Sequence, residues 1–151
     1  MQAWIAVGSA ENFELMRERG FDLAAFKSSR RKQSAEMQPG DRVVFYLTKV
    51  VQFGGIAEIT SEAFEDETDI GLRSESKGES ESYPYRVQTK PLVIPEPGDY
   101  VDVREITDLL DKTRNFGPKK LGMAFRGNLH KISDADYRQI ESLLEERAAV
   151  S

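Results

Sequence analysis

The alternation of apolar and polar side chains along the chain predicts short β-strands. Four segments are rich in large apolar and β-branched residues and are bounded by turn residues: 2–7, 42–48, 53–60 and 85–94. The second and third segments are close together, so we expect them to pair as a hairpin. Gly54 and Gly55 predict a bulge in the third strand, or a close approach of another group to its backbone. Pro91, Pro95 and Pro97 indicate that the far end of the fourth strand lies at an edge or leaves the sheet.

Capping signals predict a helix directly after the first strand. Ser9 is a typical N-cap residue, Phe13 and Met16 follow on one helical face, and Gly20 suits the C-terminal end. The strand therefore runs straight into a helix N-terminus, which exposes backbone N–H groups and the side chains of Ser9 and Asn12. These groups suit a polar ligand edge, although capping alone also explains Ser9.

The C-terminal helix has the clearest pattern. Ser133 caps it with Asp136 at the third position, and Ile132 and Tyr137 occupy the positions of a hydrophobic staple. Apolar residues then recur at helical spacing as far as Leu144, so we expect the helix to pack against the sheet.

The remaining segments have weaker patterns. Residues 21–37 predict a loop with one short helical turn, and residues 101–110 predict a short strand or turn followed by a helical turn. Neither an internal repeat nor a linker is visible in the sequence. The pattern as a whole predicts a single α+β domain over residues 1–151.

Composition removes several classes of catalytic and metal site. The 151 residues include no cysteine and one histidine, so disulfides, cysteine nucleophiles, iron–sulfur clusters and multi-histidine metal sites are excluded. No phosphate-loop or dinucleotide-binding glycine pattern occurs, and His130 has no G-x-S-x-G partner for a serine triad. Asp and Glu are numerous enough for a pair of catalytic carboxylates of the kind that hydrolyse glycosides. Most of them, however, lie where nothing would raise the pKa of a carboxyl group. We therefore expect no metal and no cofactor.

The charges are segregated along the chain. The formal net charge of −5, from 21 basic and 26 acidic residues, argues against a nonspecific nucleic-acid coat. Residues 61–82 are acidic and predict a solvated loop, with 73–82 as a mobile excursion. Two segments are basic with no acid among them, and they contain Lys27, Arg30, Arg31 and Lys32, then Lys112, Arg114, Lys119, Lys120, Arg126 and Lys131. They form a basic rim if the fold brings them together, and otherwise two unrelated surfaces.

Aromatic residues stand beside these basic residues. One Trp, five Tyr and eight Phe would furnish a pocket that stacks a flat base near a phosphate chain. The signal is weak, because we expect most of these rings in the core, among them Phe13, Phe45, Phe53, Phe125 and Tyr137. We also expect Trp4, in the first strand, to be a core residue.

No segment has the pattern of an export signal or a membrane span. Residues 1–10 lack a basic region, and the longest apolar runs have five residues, whereas a spanning helix needs about 20. We expect a cytoplasmic protein without a membrane partner. We assume a monomer, since the oligomeric state is unknown from the sequence.

Six motifs in chain order resemble the EVE domain family. They are A-W-I-A-V at 3–7, G-S-A-E-N-F at 8–13, M-Q-P-G-D-R-V-V-F-Y-L-T at 37–48, G-G-I-A-E-I-T at 54–60, Y-P-Y-R-V at 83–87 and F-R-G-N-L at 125–129. With the final helix, the resemblance spans essentially the whole chain. It implies a PUA-like fold, a small curved β-barrel with flanking helices, related to the YTH domains that bind a methylated adenine in RNA.

The resemblance also implies a function. EVE domains are thought to read modified bases in DNA or RNA through an aromatic-walled pocket, and they are not known as catalysts. We therefore expect a nucleic-acid-binding module that recognises a methylated or hydroxymethylated base, without enzymatic activity. Two alternatives stay open: a small-molecule nucleoside or metabolite sensor on the same fold and, less favoured, an RNA-acting enzyme.

The resemblance places the pocket at the first strand-to-helix junction. Ser9 and Asn12 then become candidates for hydrogen bonds to the base edge, and Tyr46 and Thr48 for a wall or floor. Arg86 and Arg126 are expected to hold the pocket together or to contact a phosphate. The residues expected along the nucleic-acid backbone are Lys27, Arg30, Arg31, Lys32, Lys119 and Lys120.

One position departs from the family pattern. Many relatives carry a tryptophan after the first helix, where it walls the pocket, whereas this chain has G-F-D-L at 20–23. Either Phe21 or Phe26 replaces the tryptophan as the stacking face, or the pocket is shallower and its ligand is different.

Overall fold

A computed structural model describes residues 1–73 and 83–150, in which a mixed sheet curls into a half-barrel surrounded by helices. The strands are β1 Ala3–Gly8, β2 Leu23–Phe26, β3 Arg42–Leu47, β4 Gln52–Ile59, β5 Phe64–Glu65, β6 Tyr85–Val93, β7 Val101–Asp102 and β8 Leu129–Ile132. The α-helices are α1 Ala10–Glu18, α2 Arg31–Ser34, α3 Leu121–Ala124 and α4 Asp134–Val150. The α+β class and the curved sheet expected from the sequence are confirmed.

The strand order brings two strand ends to one edge of the sheet. The order is β2-β6-β4-β3-β1-β8, with β5 also paired to β6 and β7 to β4. Only the β1–β3 pair is parallel among the described pairings. Gly8, at the end of β1, lies opposite Leu47, at the end of β3. Because parallel strands end at the same edge, the start of α1 and the tip of the β3–β4 hairpin are neighbours.

The predicted hairpin and its bulge are confirmed. Phe45 lies opposite Gly55 and Tyr46 opposite Phe53, so the extra residue is Gly54. A Cβ on Gly54 would lie 2.7 Å from Cε2 of Phe13, which leaves no room for a side chain. Both reasons given for the glycine pair, a bulge and a close approach, therefore apply.

The sheet is buried on both faces. Val43, Phe45 and Leu47 belong to a core layer that α1 and β2 cover, together with Trp4. Val44 and Tyr46 belong to the opposite layer, which α3 and α4 cover. Since successive strand residues point to opposite faces, β3 contributes to both layers. The aromatic residues expected in the core are buried: Trp4, Phe13, Phe45, Phe53, Phe125 and Tyr137.

The predicted helix caps are confirmed. Ser9 Oγ accepts a hydrogen bond from the Asn12 backbone N–H at 3.0 Å, and Ser133 Oγ accepts one from Asp136 at 3.1 Å. Gly20 has a φ of +76°, the left-handed conformation expected just after a helix. No helix in the described ranges is both long and apolar enough to cross a bilayer.

The prediction of a loop over residues 21–37 was wrong in part. β2 lies in this segment and pairs antiparallel with β6, so that Leu23 is opposite Gln88. Three of its four residues are buried, so the strand lacks the alternation by which strands are recognised. The sequence also missed β8, which pairs with β1, and the short helix α3.

The remaining expectations are met in part. Pro91 lies opposite Ala57, next to a register shift in the β4–β6 pairing. Among the described strands, this half of β6 pairs only with β4, because β2 and β5 pair with its other half. The acidic segment is not all loop, since β5 pairs with β6. Of the excursion expected at 73–82, all but Arg73 lies outside the described residues. Residues 101–110 form β7 as predicted, followed by two 3-10 turns where the sequence predicted one helical turn.

Candidate functional site

A cavity of about 600 Å³ opens at the carboxyl ends of β1 and β3, where α1 begins. Gly8 and Ser9 line it from the end of β1, and Leu47 and Thr48 line it from the end of β3. Its volume lies within the range typical of small-molecule sites in proteins. This is the junction at which the sequence predicted a ligand.

The interior of the cavity is apolar and rigidly packed. Phe13 and Met16 contribute one side from α1, and Phe45 contributes another from β3. The Phe13 ring lies 5.4 Å from that of Phe45 and 5.1 Å from that of Phe21, in tilted contacts. Such interlocked rings have little freedom to move, so this wall of the cavity is preformed.

The mouth of the cavity carries positive charge, because the exposed Lys49 and Arg73 are among its lining residues. Its lining includes Lys27, Arg30, Lys49 and Arg73, and the described lining residues include no Asp or Glu. The chain as a whole carries a formal charge of −5. Cations concentrated at one concave site in an acidic protein create a local field that attracts anions.

Arg30 connects the first basic segment to the turn at 126–128. Its guanidinium lies against Gly127, where a Cβ would be 2.5 Å from Nη2 and where φ is +89°. Gln33 then accepts a 3.1 Å hydrogen bond from Arg30 and donates one of 3.3 Å to the Leu129 carbonyl. The fold thus brings Arg30 of the first basic segment against the backbone of the second at Gly127. None of the cations of the second segment belongs to the described lining of this cavity, so the basic rim stays a prediction.

A second, smaller cavity of about 270 Å³ adjoins the first. The two share Tyr46, Thr48 and Lys49, and the second adds Lys119 and Phe125 among others. Phe125 stacks on Tyr46, with ring centroids 4.0 Å apart and planes 16° apart. The described lining of this cavity, like that of the first, contains no acid.

Ser9 and Asn12 line the first cavity, but their polar atoms have partners inside the protein. Ser9 Oγ accepts from the Asn12 N–H as an N-cap. The Asn12 side-chain amide donates to the Arg73 carbonyl at 2.9 Å and accepts from the Arg73 N–H at 3.1 Å. These bonds occupy one acceptor site of Ser9 Oγ and one donor and one acceptor site of Asn12, so they fix both side chains at the cavity without using all of their hydrogen-bonding capacity. Their contact with a base edge stays a prediction.

Tyr46 and Thr48 line the wall as expected. Tyr46 is 4% exposed, and burial raises the pKa of its phenol above the ordinary value. Thr48 donates from Oγ1 to the Gly8 carbonyl at 3.3 Å, and its N–H donates to the same oxygen at 2.8 Å. These two bonds attach the hairpin tip to the end of β1.

The structure does not bring Phe21 and Phe26 to the cavity. Phe21 is 5% exposed and packs behind Phe13, with the Arg17 guanidinium 5.5 Å from its ring centroid. Phe26 is fully buried in β2. Neither ring lines the cavity. The expectation that one of them replaces the missing tryptophan as a stacking face is therefore corrected.

Arg86 holds the cavity wall together from within the core. It is 2% exposed, donates from Nε to the Tyr83 carbonyl at 3.1 Å, and also donates to the Thr68 carbonyl. Tyr83 lines the cavity and donates its hydroxyl to the Arg73 carbonyl at 3.1 Å. A buried guanidinium cannot meet a phosphate, so only the first of its two expected roles fits. Arg126 is exposed and lies outside both linings.

The residues expected along a nucleic-acid backbone divide into two groups. Lys27 and Arg30 line the first cavity and Lys119 the second, whereas the exposed Arg31, Lys32 and Lys120 lie outside both. The sequence reasoning missed Lys49, Arg73, Tyr83 and Asn128 as lining residues. Tyr83 and Asn128 belong to motifs on which the family resemblance rests, so these motifs could have indicated them. No pattern in the neighbouring sequence indicates that Arg73 or Lys49 lines a cavity.

Comparisons with known proteins agree with this fold. The EVE domain family model matches residues 2–143. The UPF0310 protein PH1033 of Pyrococcus horikoshii is 28% identical over 157 residues, which cover 95% of this chain and 99% of that protein.

Two solved structures with this fold contain nucleic acid. One is the YTH domain of the Zygosaccharomyces rouxii MRB1 protein in complex with N6-methyladenosine RNA, with a TM-score of 0.64 and 16% identity over 95% of this chain and 86% of that one. The other is human THYN1 in complex with 5-methylcytosine-containing DNA. It has a TM-score of 0.61 and is 13% identical, and the match covers 96% of this chain and 98% of THYN1. The PUA-like fold implied by the resemblance is confirmed.

Proposed function

This chain belongs to the EVE domain family, and on that premise we propose that it binds a modified base in DNA or RNA without catalysing a reaction. The base occupies the cavity between β1, β3 and α1, and the phosphates of the strand lie at its cationic mouth. Two structural neighbours are described in complex with strands that carry a methylated base, which supports this ligand class.

The observation that carries the proposal is the division of chemistry within one cavity. Phe13, Phe45 and Met16 make its interior apolar, and its lining has cations without a described acid. A nucleotide has the same division, with a flat apolar-faced base at one end and an anionic phosphate at the other. Contacts to phosphates position a strand, whereas the fit of the base supplies selectivity.

The size of a methyl group makes selectivity for a modified base physically reasonable. Each buried carbon adds about 0.8 kcal/mol of apolar transfer energy, but only if the cavity fits it. The preformed aromatic wall provides such a fixed shape, because Phe13 and Phe45 pack against each other at 5.4 Å. We therefore expect discrimination by fit between a methylated base and its unmodified counterpart.

The side chains around the cavity favour binding over catalysis. The described lining residues include no Asp, Glu, His or Cys that would act as a general acid or base. Burial raises the pKa of Tyr46, so its phenol stays protonated at neutral pH and cannot accept a proton. The described lining does include Lys27, Lys49 and Tyr83, residue types that serve as general acids or bases in enzymes, so an RNA-acting enzyme stays the less favoured alternative.

A free nucleoside or metabolite is the second candidate ligand. The net charge of −5 favours it, because an acidic protein repels a polyanion outside the cationic mouth. The two candidates differ in salt dependence. Binding to a strand releases counterions and weakens steeply as salt rises, whereas binding of an uncharged nucleoside barely changes.

The experiment is a binding panel at two salt concentrations. It contains short RNA strands with and without N6-methyladenosine, short DNA strands with and without 5-methylcytosine, and the corresponding free nucleosides. We expect one methylated strand to bind more tightly than its unmodified counterpart, with an affinity that falls as salt rises. Binding of a nucleoside alone, independent of salt, would favour the small-molecule candidate, and no binding to any member would contradict the proposal for these two modifications.

A further inference from the structure

We propose that the second cavity holds the nucleotide next to the recognised base, so that the ligand is a strand of at least two nucleotides. Lys49 and Lys119 contact the phosphates between and beyond these nucleotides. The inference rests on the proposed function, because it concerns the same ligand and extends the site beyond the base.

The shared wall of the two cavities is the first observation. Tyr46, Thr48 and Lys49 line both cavities. A nucleic-acid strand that leaves the first cavity over this wall therefore enters the second directly. Val51, Pro118 and Leu121 give the second cavity an apolar side. An apolar recess beside a base pocket suits the face of a neighbouring base, since base recognition on single strands depends on such contacts.

The position of Lys49 is the second observation. Its φ is +66°, and Val51, two residues on, has a φ of +57°. Side chains other than glycine rarely adopt this conformation, and a β-branched residue adopts it least readily. Backbone strain of this kind collects at functional sites. Here it places a cation on the ridge that separates the two cavities.

The rigidity of the ridge supports the same role. Thr48 donates from its N–H to the Gly8 carbonyl at 2.8 Å, and Val51 donates from its N–H to the Leu47 carbonyl at 3.0 Å. The Val51 carbonyl accepts from the Val103 N–H at 3.0 Å. The hairpin tip is thus attached on two sides, and the backbone of Lys49 is fixed at the ridge.

Charge is the third observation. Lys49 and Lys119 line the second cavity, and none of its described lining residues is acidic. Lys119 is exposed, and the next residue, Lys120, is exposed but lies outside the lining. Of these two adjacent exposed lysines, only Lys119 is therefore placed to contact a phosphate in the second cavity, whereas Lys120 adds only to the net charge nearby.

The test compares a methylated strand with the mononucleotide that carries the same base, using the N6-methyladenosine RNA and 5-methylcytosine DNA probes. Lys119→Glu and Gly122→Leu alter the second cavity alone, and the Cβ at Gly122 has open space around it. Arg138→Glu is the charge-matched control, because Arg138 is an exposed residue of α4 outside both linings. Lys49→Gly removes the cation and places glycine at the strained φ.

We expect the wild type to bind the strand more tightly than the mononucleotide. Lys119→Glu and Gly122→Leu should weaken strand binding about tenfold, the scale of one lost stacked base or phosphate, and leave mononucleotide binding unchanged. Lys49→Gly should lower the slope of log affinity against log salt by about one. Arg138→Glu should match the wild type.

Two results would overturn the inference while the proposed function stands. The first is equal affinity of the wild type for strand and mononucleotide, and the second is wild-type strand affinity in both Lys119→Glu and Gly122→Leu. Failure of the wild type to bind either methylated probe would overturn the proposed function for these bases, and the inference with it.

Discussion

The side-chain amide of Asn12 pairs with the backbone of Arg73, 61 residues away in the sequence, through hydrogen bonds of 2.9 and 3.1 Å. The pair fixes Arg73, a cation of the cavity lining, to the first turn of α1. Tyr83 donates to the carbonyl of the same arginine at 3.1 Å. One side of the cavity mouth is therefore assembled from two distant parts of the chain, the first turn of α1 and the segment that contains Arg73 and Tyr83.

Asn12→Ala should loosen this side of the mouth. The pair is solvent-exposed, so we expect the free energy of unfolding to fall by only about 1 kcal/mol. The binding free energy for the methylated strand should fall by more than the free energy of unfolding, because Arg73 loses its fixed position. Denaturant unfolding and strand titration measure the two effects. Glu11→Ala, at an exposed neighbour, is the control, and equal strand affinity in both variants would refute the role of the pair.

Gly54→Ala should disturb the aromatic wall. The new Cβ would lie 2.7 Å from Cε2 of Phe13 and 3.2 Å from Cδ1 of Leu47. We expect a loss of about 1–3 kcal/mol in the free energy of unfolding, the usual effect of overpacking. Gly122→Ala, which has open space at its Cβ, should leave stability unchanged or raise it by up to about 1 kcal/mol. Similar stabilities for the two variants would show that Phe13 moves aside at no cost.

Asp41 should stabilise the fold through its carboxylate. The side chain is 3% exposed and accepts hydrogen bonds from Gln2 N at 2.9 Å, Gln38 N at 3.0 Å and Trp4 Nε1 at 3.3 Å. Burial alone would raise the pKa of Asp41, but these bonds hold it below the ordinary value of 3.8. Asp41→Asn should lower the free energy of unfolding by about 2–3 kcal/mol at neutral pH.

The pH dependence of Asp41 follows from the sign of that shift. Because the folded pKa is lowered, the stabilisation is complete above pH 3.8 and is lost as the pH falls through the folded pKa. The difference in unfolding free energy between wild type and Asp41→Asn should therefore shrink below pH 3.8. Asp22→Asn, at an exposed residue, is the control. A difference that stays constant on acidification would contradict the assignment.

His130 should make stability sensitive to mildly acidic pH. Burial, followed by the nearby charge of Lys112, lowers the pKa of His130 below 6.5, and its Nδ1 lies 3.3 Å from the Lys112 ammonium. Below pH 6.5 the unfolded chain takes up a proton that the folded protein resists, so stability falls with pH until the folded pKa is reached. As the pH falls below 6.5, the free energy of unfolding of His130→Gln should therefore depend less on pH than that of the wild type. Parallel pH profiles would exclude this contribution.

Local signals accounted for much of the fold. Ser9, Gly20 and Ser133 mark helix ends because capping involves residues a few positions apart, and such pairs are visible in the sequence. The β3–β4 hairpin was predictable for the same reason. β2 was not, because its partner lies about sixty residues away, as the Leu23–Gln88 pairing shows, and its residues do not alternate.

The candidate site was predictable in position but not in detail. The strand-to-helix junction at Ser9 placed the cavity, because parallel pairing of β1 and β3 brings both strand ends there. The roles of Asn12 and Phe21 depend on tertiary contacts, with Arg73 in one case and Phe13 in the other. Lys49 had no signal either, since its place in the lining of both cavities depends on the backbone conformation of a turn.

The most direct test of the account is to fill the first cavity from Gly8. A Cβ at Gly8 meets nothing within 4 Å, and the residue lines the cavity on the face of β1 shared with Ala6. Affinity for the methylated strand is measured for wild type, Gly8→Ala and Gly8→Leu, with denaturant unfolding in parallel. We predict that Gly8→Leu stays folded but binds the strand about tenfold or more weakly than the wild type. The affinity of Gly8→Ala should lie between those of the wild type and Gly8→Leu. Wild-type affinity in a folded Gly8→Leu variant would show that the base is not bound in this cavity.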